Sequence, residues 1–132
     1  MRILIVDDHE AVRRGIRSLL ESRPDFSVCG QATDGIDAIE KNRELRPDLV
    51  LMDLSMPRMN GIEATRIIRQ ETPQTDVIII TQNLSEMPRA QLDEIGAKAF
   101  VSKTKLVEDL LPTILAVSNA GRRSSPRPLQ PI

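Results

Sequence analysis

Short apolar runs alternate with longer stretches in which apolar residues return every three or four positions, and the alternation repeats five times along the chain. Arg2-Ile3-Leu4-Ile5-Val6, Asp48-Leu49-Val50-Leu51-Met52 and Val77-Ile78-Ile79-Ile80 are rich in β-branched residues and nearly free of charge. That is the pattern of strands buried on both faces of a parallel sheet. Phe26 to Gln31 reads as a second strand and Lys98 to Ser102 as the last. Between them, Glu10 to about Glu21 places Val12, Ile16, Leu19 and Leu20 on one side of a helix, closed by Pro24. Asp34, with Asp37 three residues on, caps a helix that turns Ile36, Ile39 and Leu45 inward and ends at Arg46-Pro47. Asn60 and Glu63 form a capping pair for a third helix carrying Ile62, Ile67 and Ile68, stopped by Pro73. A fourth is expected from Ser85, with Pro88 in its first turn, to Gly96. In the last helix Pro112 is harmless if the helix starts after Asp109 as N-cap, the start expected here; a start after Thr104 would kink it near Leu111.

Five strand–helix units joined by right-handed crossovers make an α/β fold, a doubly wound five-stranded parallel sheet with helices on both faces. In such sheets the strand order 2-1-3-4-5 sets the first and third strands side by side, where ligands gather beyond their carboxyl ends. Residues 1–120 are expected to form this single domain. Residues 121–132 change character, with three prolines, three arginines and no acid, and are expected to be a disordered tail or the start of a linker.

Composition narrows the class. With only Phe26 and Phe100 as aromatics, the core must be built from Ile, Leu, Val, Ala and Met. The net charge of −1 gives no general footprint for nucleic acid or membrane, and without the tail arginines the rest carries 15 basic and 19 acidic residues. Cys29 has no partner for an internal disulfide, which fits a reducing cytoplasm. No apolar stretch approaches a membrane span, and Met1-Arg2 passes straight into the first strand with no signal-peptide pattern, so the mature protein is expected to begin there.

The chemistry collects where the strands end. Asp7 and Asp8 follow the first, Asp53 ends the third, Thr81 the fourth, and Lys103 follows the fifth. Read singly, each has a plain role: Asp8 as a solvated loop residue or cap, Asp53 as a turn residue, Thr81 as a β-branched strand residue, Lys103 as an exposed lysine. Together they deliver carboxylates, a hydroxyl and an ammonium to one rim. Clustered carboxylates repel, and a Mg²⁺ ion, which takes oxygen ligands and tolerates one or two protein carboxylates, offsets that repulsion. A carboxylate can also attack phosphorus to form an acyl phosphate, and phosphoryl transfer needs positioning and charge neutralisation above all.

Asp7-Asp8-His9, the run from Asp53 through Leu54-Ser55-Met56-Pro57-Arg58-Met59 to Asn60-Gly61, Thr81 and Lys103 resemble the response-regulator receiver domain of two-component signalling. The resemblance covers residues 1 to 120 and implies the flavodoxin-like fold with the strand order already reached. It implies Asp53 as phosphoacceptor, and Asp8, Asp53 and the backbone carbonyl of Ser55 as Mg²⁺ ligands, with Asp7 acting through a metal-bound water. Lys103 would pair with the phosphoryl group, Thr81 would move toward it, and Phe100 matches the switch aromatic, although a plain core phenylalanine fits the sequence as well. His9 matches regulators that carry a DNA-binding helix-turn-helix; from its position alone it is an exposed residue at a helix start. The implied partners are a sensor histidine kinase, a downstream protein or attached output domain, and a second copy in a homodimer, with neither membrane nor nucleic acid bound by this chain. The implied work is signalling in the cytoplasm rather than metabolic catalysis.

The chain departs from the family pattern at Gln82, where a small residue is usual, in the following run to Pro88, and at Thr104, where proline is common. Three other readings stand beside the switch: the receiver part of a transcription regulator whose output domain lies outside this chain, a degenerate receiver acting through protein contacts alone, and an acid-rich α/β hydrolase with Asp53 as nucleophile. The last expects a second acid two residues after the nucleophile, where this chain has Ser55.

Overall fold

A computed structural model describes residues 1–54, 56, 58–82 and 89–124. Its strands are β1 (Arg2–Val6), β2 (Ser27–Ala32), β3 (Leu49–Asp53), β4 (Asp76–Thr81) and β5 (Ala99–Ser102). The helices between and after them are α1 (Glu10–Glu21), α2 (Gly35–Leu45), α3 (Gly61–Glu71), α4 (Arg89–Ile95) and α5 (Leu106–Ser124). All strand pairs are parallel, in the order β2-β1-β3-β4-β5. The expected doubly wound sheet and its strand order are what the chain adopts.

Alternation along the strands sorts the core into two layers. Leu4, Val6, Val50, Met52, Val77 and Ile79 face α2, α3 and α4 through Ala38, Ile39, Ala64, Ile68 and Ile95. Ile3, Ile5, Leu49, Leu51, Ile78 and Ile80 face α1 and α5 through Ile16, Leu20, Leu110 and Ile114. Strands β1, β3 and β4 are therefore buried on both sides, which is why their sequences read as unbroken apolar runs. The caps behave as their residue types require: the Asp34 side chain accepts from the Asp37 N–H and that of Asn60 from the Glu63 N–H, each satisfying an orphan donor of the first turn. Gly96, at φ +86°, follows the last residue of α4 as expected.

Several boundaries differ from the expected ones. β2 is displaced by one residue toward Ala32, and β5 begins at Ala99 rather than Lys98. The expected start of α4 at Ser85, and the place of Pro88 in it, lie outside the described residues. The last helix does not wait for Asp109. Ser102 caps a short 3₁₀ turn, Lys103–Lys105, accepting from the Thr104 N–H at 3.3 Å, and α5 follows at once from Leu106. The reason is burial: Leu106, Leu110 and Ile114 are spaced by four and pack together on the α1/α5 side of the sheet. Pro112 consequently lies inside the helix, on its exposed face. The helix also continues past the expected boundary at Gly121 to Ser124, and residues 125–132 lie outside the described part.

Placing Pro112 inside α5 removes one helical hydrogen bond and sets its ring against the preceding turn. Pro112→Ala should therefore stabilise the domain by roughly 1–3 kcal/mol in urea denaturation with an unchanged m-value. A helix beginning after Asp109 would gain nothing from the exchange.

Candidate functional site at the strand ends

The carboxyl ends of β1, β3, β4 and β5 open on one edge of the sheet, and the polar residues beyond them are held there by the strands themselves. Asp7 continues β1, its N–H donating to the Ala32 carbonyl at 3.1 Å. Its Oδ1 accepts from the His9 N–H at 2.8 Å, and its main-chain carbonyl from Arg13 at 2.7 Å. Asp53 is the last residue of β3. Both are buried, at 1% and 2% exposure.

Lys103 joins them. Its Nζ lies 2.9 Å from Asp7 Oδ2 and 3.0 Å from Asp53 Oδ1, so residues from three strand ends meet at one ammonium group. Burial pulls the Lys103 pKa down, but its bonds to Asp7 and Asp53 outweigh this and hold it above the ordinary lysine range. Asp53 is governed by burial, which raises its pKa; the Lys103 bond opposes this, and the neighbouring Asp7 and Asp8 charges add to the rise. The net shift is upward. Asp8 and His9 complete the rim, with His9 Nδ1 3.1 Å from Asp8 Oδ1 and 3.4 Å from Asp7 Oδ1. His9 is exposed, as expected, and sits at the N-cap of α1 without a side-chain capping bond.

The donor set suits a hard divalent cation. Asp7 and Asp53 share one ammonium and Asp8 lies beside Asp7, leaving an excess of negative charge, and among the described residues Asp53 Oδ2 is buried with no hydrogen-bond partner. A buried carboxylate oxygen without a partner is costly unless a cation or donor reaches it. Oxygen ligands of this kind fit Mg²⁺.

Residues 3–115 match the response regulator receiver domain family. The chain belongs to that family. It is 38% identical over 119 residues to the response regulator protein VraR of Staphylococcus saprophyticus, covering 90% of this chain and 57% of the relative. It is also 38% identical over 118 residues to the transcriptional regulatory protein LiaR of Bacillus subtilis, covering 89% and 56%. This receiver domain thus spans little more than half the length of the curated relatives it matches. Among solved structures it resembles a LuxR-family two-component response regulator from Aurantimonas (TM-score 0.84, 39% identity, 90% of this chain and 85% of that one). It resembles the response regulator domain of Thermotoga maritima CheB as well (TM-score 0.82, 32% identity, 90% and 96%).

Within this receiver domain, Thr81 ends β4 with 8% exposure and pairs in register with Ser102, the residue before Lys103. Phe100 pairs with Ile79, so strand alternation places it and Thr81 on the same face of the sheet; it is half-buried against the α2/α3/α4 layer. Ser55 lies outside the described residues. Gln82 is exposed and, with Val12, Leu19, Lys103 and Leu106, lines a groove of about 580 Å³ between α1 and the turn after β5.

Two features were missed from the sequence. A Cβ on Gly61 would stand 2.1 Å from the Asp53 carbonyl oxygen, and one on Gly35 would stand 2.6 Å from the Met59 carbonyl oxygen. A signal existed: Asp34-Gly35 and Asn60-Gly61 each put the poorest common helix former directly after a cap, which suggests close backbone approach. The second feature, the Arg58–Asp34 ion pair at 2.7 Å, left no signal.

A carboxyl whose folded pKa is raised opposes folding once ionised. The penalty is absent below its unfolded pKa, near 3.9, and grows as the pH rises toward the folded value. Asp53→Asn should therefore raise the melting temperature at pH 7 in EDTA by a few degrees. The gain should fade as the pH is lowered toward 4, and Mg²⁺ should reduce it at pH 7. Differential scanning calorimetry across this range checks all three outcomes.

Proposed function

We propose that this chain is a phosphorylation-dependent switch in which Asp53 accepts a phosphoryl group from a phosphohistidine of a sensor histidine kinase. The observation carrying this reading is Lys103 Nζ bridging Asp7 and Asp53 while Asp53 Oδ2 stays buried and unpartnered. An Asp53 carboxylate oxygen attacks phosphorus, the Oδ–P bond forms, the P–N bond of the donor breaks, and the leaving imidazole takes up a proton. Asp8 and Asp53, with the Ser55 carbonyl, would hold Mg²⁺, and Asp7 would act through a water. When bound, Mg²⁺ supplies charge neutralisation for the phosphoryl oxygens and a template for their orientation.

Lys103 then exchanges part of its pairing with Asp53 for the phosphoryl oxygens, and the Thr81 hydroxyl donates a hydrogen bond to one of them. Their common sheet face lets Phe100 follow Thr81 inward, altering the surface formed by α4, β5 and α5. The change is a two-state equilibrium biased by a new charge. The domain forms and loses an acyl phosphate, but its work is signalling rather than metabolic turnover. Among the described residues no helix is long and apolar enough to cross a membrane, and a cytoplasmic setting suits a kinase-fed switch.

The matched relatives are longer and include a transcriptional regulatory protein and LuxR-family regulators. This supports an output that reaches DNA through a module joined to, or recruited by, the receiver; a homodimer is part of the proposal, as the unit that would present such modules in pairs. The intact acid–lysine geometry favours the phosphorylated switch over a receiver acting by protein contacts alone.

Incubation with acetyl phosphate and Mg²⁺ should add one phosphoryl mass to the wild-type chain, and Asp53→Ala or excess EDTA should abolish it. An equal yield in Asp53→Ala would remove Asp53 from the role. Lys103→Ala should keep Mg²⁺ binding by calorimetry but lose phosphorylation-dependent signalling; loss of metal binding there would show that the roles of lysine and acids are assigned wrongly.

A further inference from the structure

Arg58 holds a backbone conformation that its residue type disfavours. Its φ is +62°, in the left-handed region where a residue with a Cβ is uncommon and costs free energy unless the surroundings impose it. The surroundings here are the N-terminus of α2. Arg58 Nε donates to Asp34 Oδ2 at 2.7 Å, and the Asp34 side chain is 8% exposed. The other Asp34 oxygen already accepts from the Asp37 N–H at 2.8 Å, so the carboxylate serves at once as helix cap and as anchor for Arg58.

The next residue adds a second tie. The Gly35 N–H, an orphan donor of the first turn of α2, donates to the Met59 carbonyl at 3.1 Å, and the absence of a Cβ at Gly35 permits the approach. Beyond Asn60 the chain reaches Gly61, whose N–H donates to the Leu54 carbonyl at 3.0 Å and whose Cα lies against the Asp53 carbonyl. A continuous set of contacts thus runs from Asp34 through Arg58 and Met59 to Gly61 and the backbone of Asp53. Asp34 and Arg58 touch neither Lys103 nor Asp7 in the hydrogen bonds and ion pairs among the described residues.

We infer that Asp34 and Arg58 are positioning residues for Asp53: their ion pair latches the segment after β3 to the N-terminus of α2 and so sets how the Asp53 carboxylate is presented. The inference rests on the reading of Asp53 as phosphoacceptor. Asp34 is the fixed half of the latch, held by its own helix and by burial, and Arg58 reaches it from an exposed position through one short charge-assisted hydrogen bond at Nε. The guanidinium holds the Asp34 carboxyl below its usual range, so the carboxylate is charged at neutral pH.

Two substitutions separate the latch from its neighbours. Asp34→Asn keeps an N-cap of comparable quality but removes the charge. Arg58→Gly suits a positive φ and removes only the side chain, so backbone strain falls while the latch is lost. Native-state exchange of the Gly35 amide reads the contact with Met59 without any phosphorylation. It should quicken about tenfold in each variant, and little further in the double variant, as expected for loss of one charge-assisted hydrogen bond. The initial rate of adduct formation from acetyl phosphate at saturating Mg²⁺ should fall about fivefold in each single variant, again without addition in the double, and Arg58→Lys should recover part of it.

Unchanged Gly35 exchange in both variants would overturn the latch. Faster exchange with an unchanged adduct rate would overturn its positioning role. An absence of adduct on the wild-type chain would instead defeat the reading of Asp53, and the exchange measurement would still decide whether the latch exists.

Discussion

Lys103 is the residue on which the strand-end site depends. Asp7 and Asp53 are carried into the protein by strands that bury both faces, so neither carboxylate can turn to water for solvation. Two such acids on neighbouring strands repel, and burial penalises their charge further. One ammonium 2.9–3.0 Å from both offsets the repulsion, while Asp53 Oδ2 remains without a partner. A site in that state keeps an excess of negative charge that an added divalent cation would offset. Functional sites often retain this kind of incompletely satisfied electrostatics.

The sheet supplies the placement and the helix termini supply the fine adjustment. β1 and β3 are adjacent because the strand order reverses there, which sets Asp7 beside Asp53. The N-termini of α2 and α3 then meet the segment after β3 through glycines that allow backbone to touch backbone. On the opposite layer, α5 starts immediately after the Lys103 turn because Leu106 belongs to the stripe that packs on the sheet. The lysine consequently opens a short capped turn that leads straight into a helix packed on the sheet. Its position is a by-product of core packing as much as of its own ion pairs.

Much of this was legible in the residues. The apolar runs Ile3–Val6, Leu49–Met52 and Val77–Ile80 suited central strands, since burial on both faces removes the polar alternation of a half-exposed strand. Asp34 and Asn60 were readable as caps because their side chains are short acceptors placed three residues before an available N–H. Pro112 misled, because the local rule against proline inside a helix was weaker than the burial of Leu106, Leu110 and Ile114. Local preference yields when enough apolar area is at stake.

By itself the sequence determined the alternation of elements, the α/β class and the set of polar residues standing at the strand ends. These follow from periodicity and chain connectivity, which are local or nearly local properties. Only the tertiary structure decided that one lysine touches both Asp7 and Asp53, that Asp53 keeps one bare oxygen, and that Arg58 reaches back 24 residues to Asp34. Those are contacts between residues distant in the chain, set by rotamers and by close backbone approaches. No spacing rule encodes them, because the chain's pattern specifies which face a side chain takes but not which partner waits there.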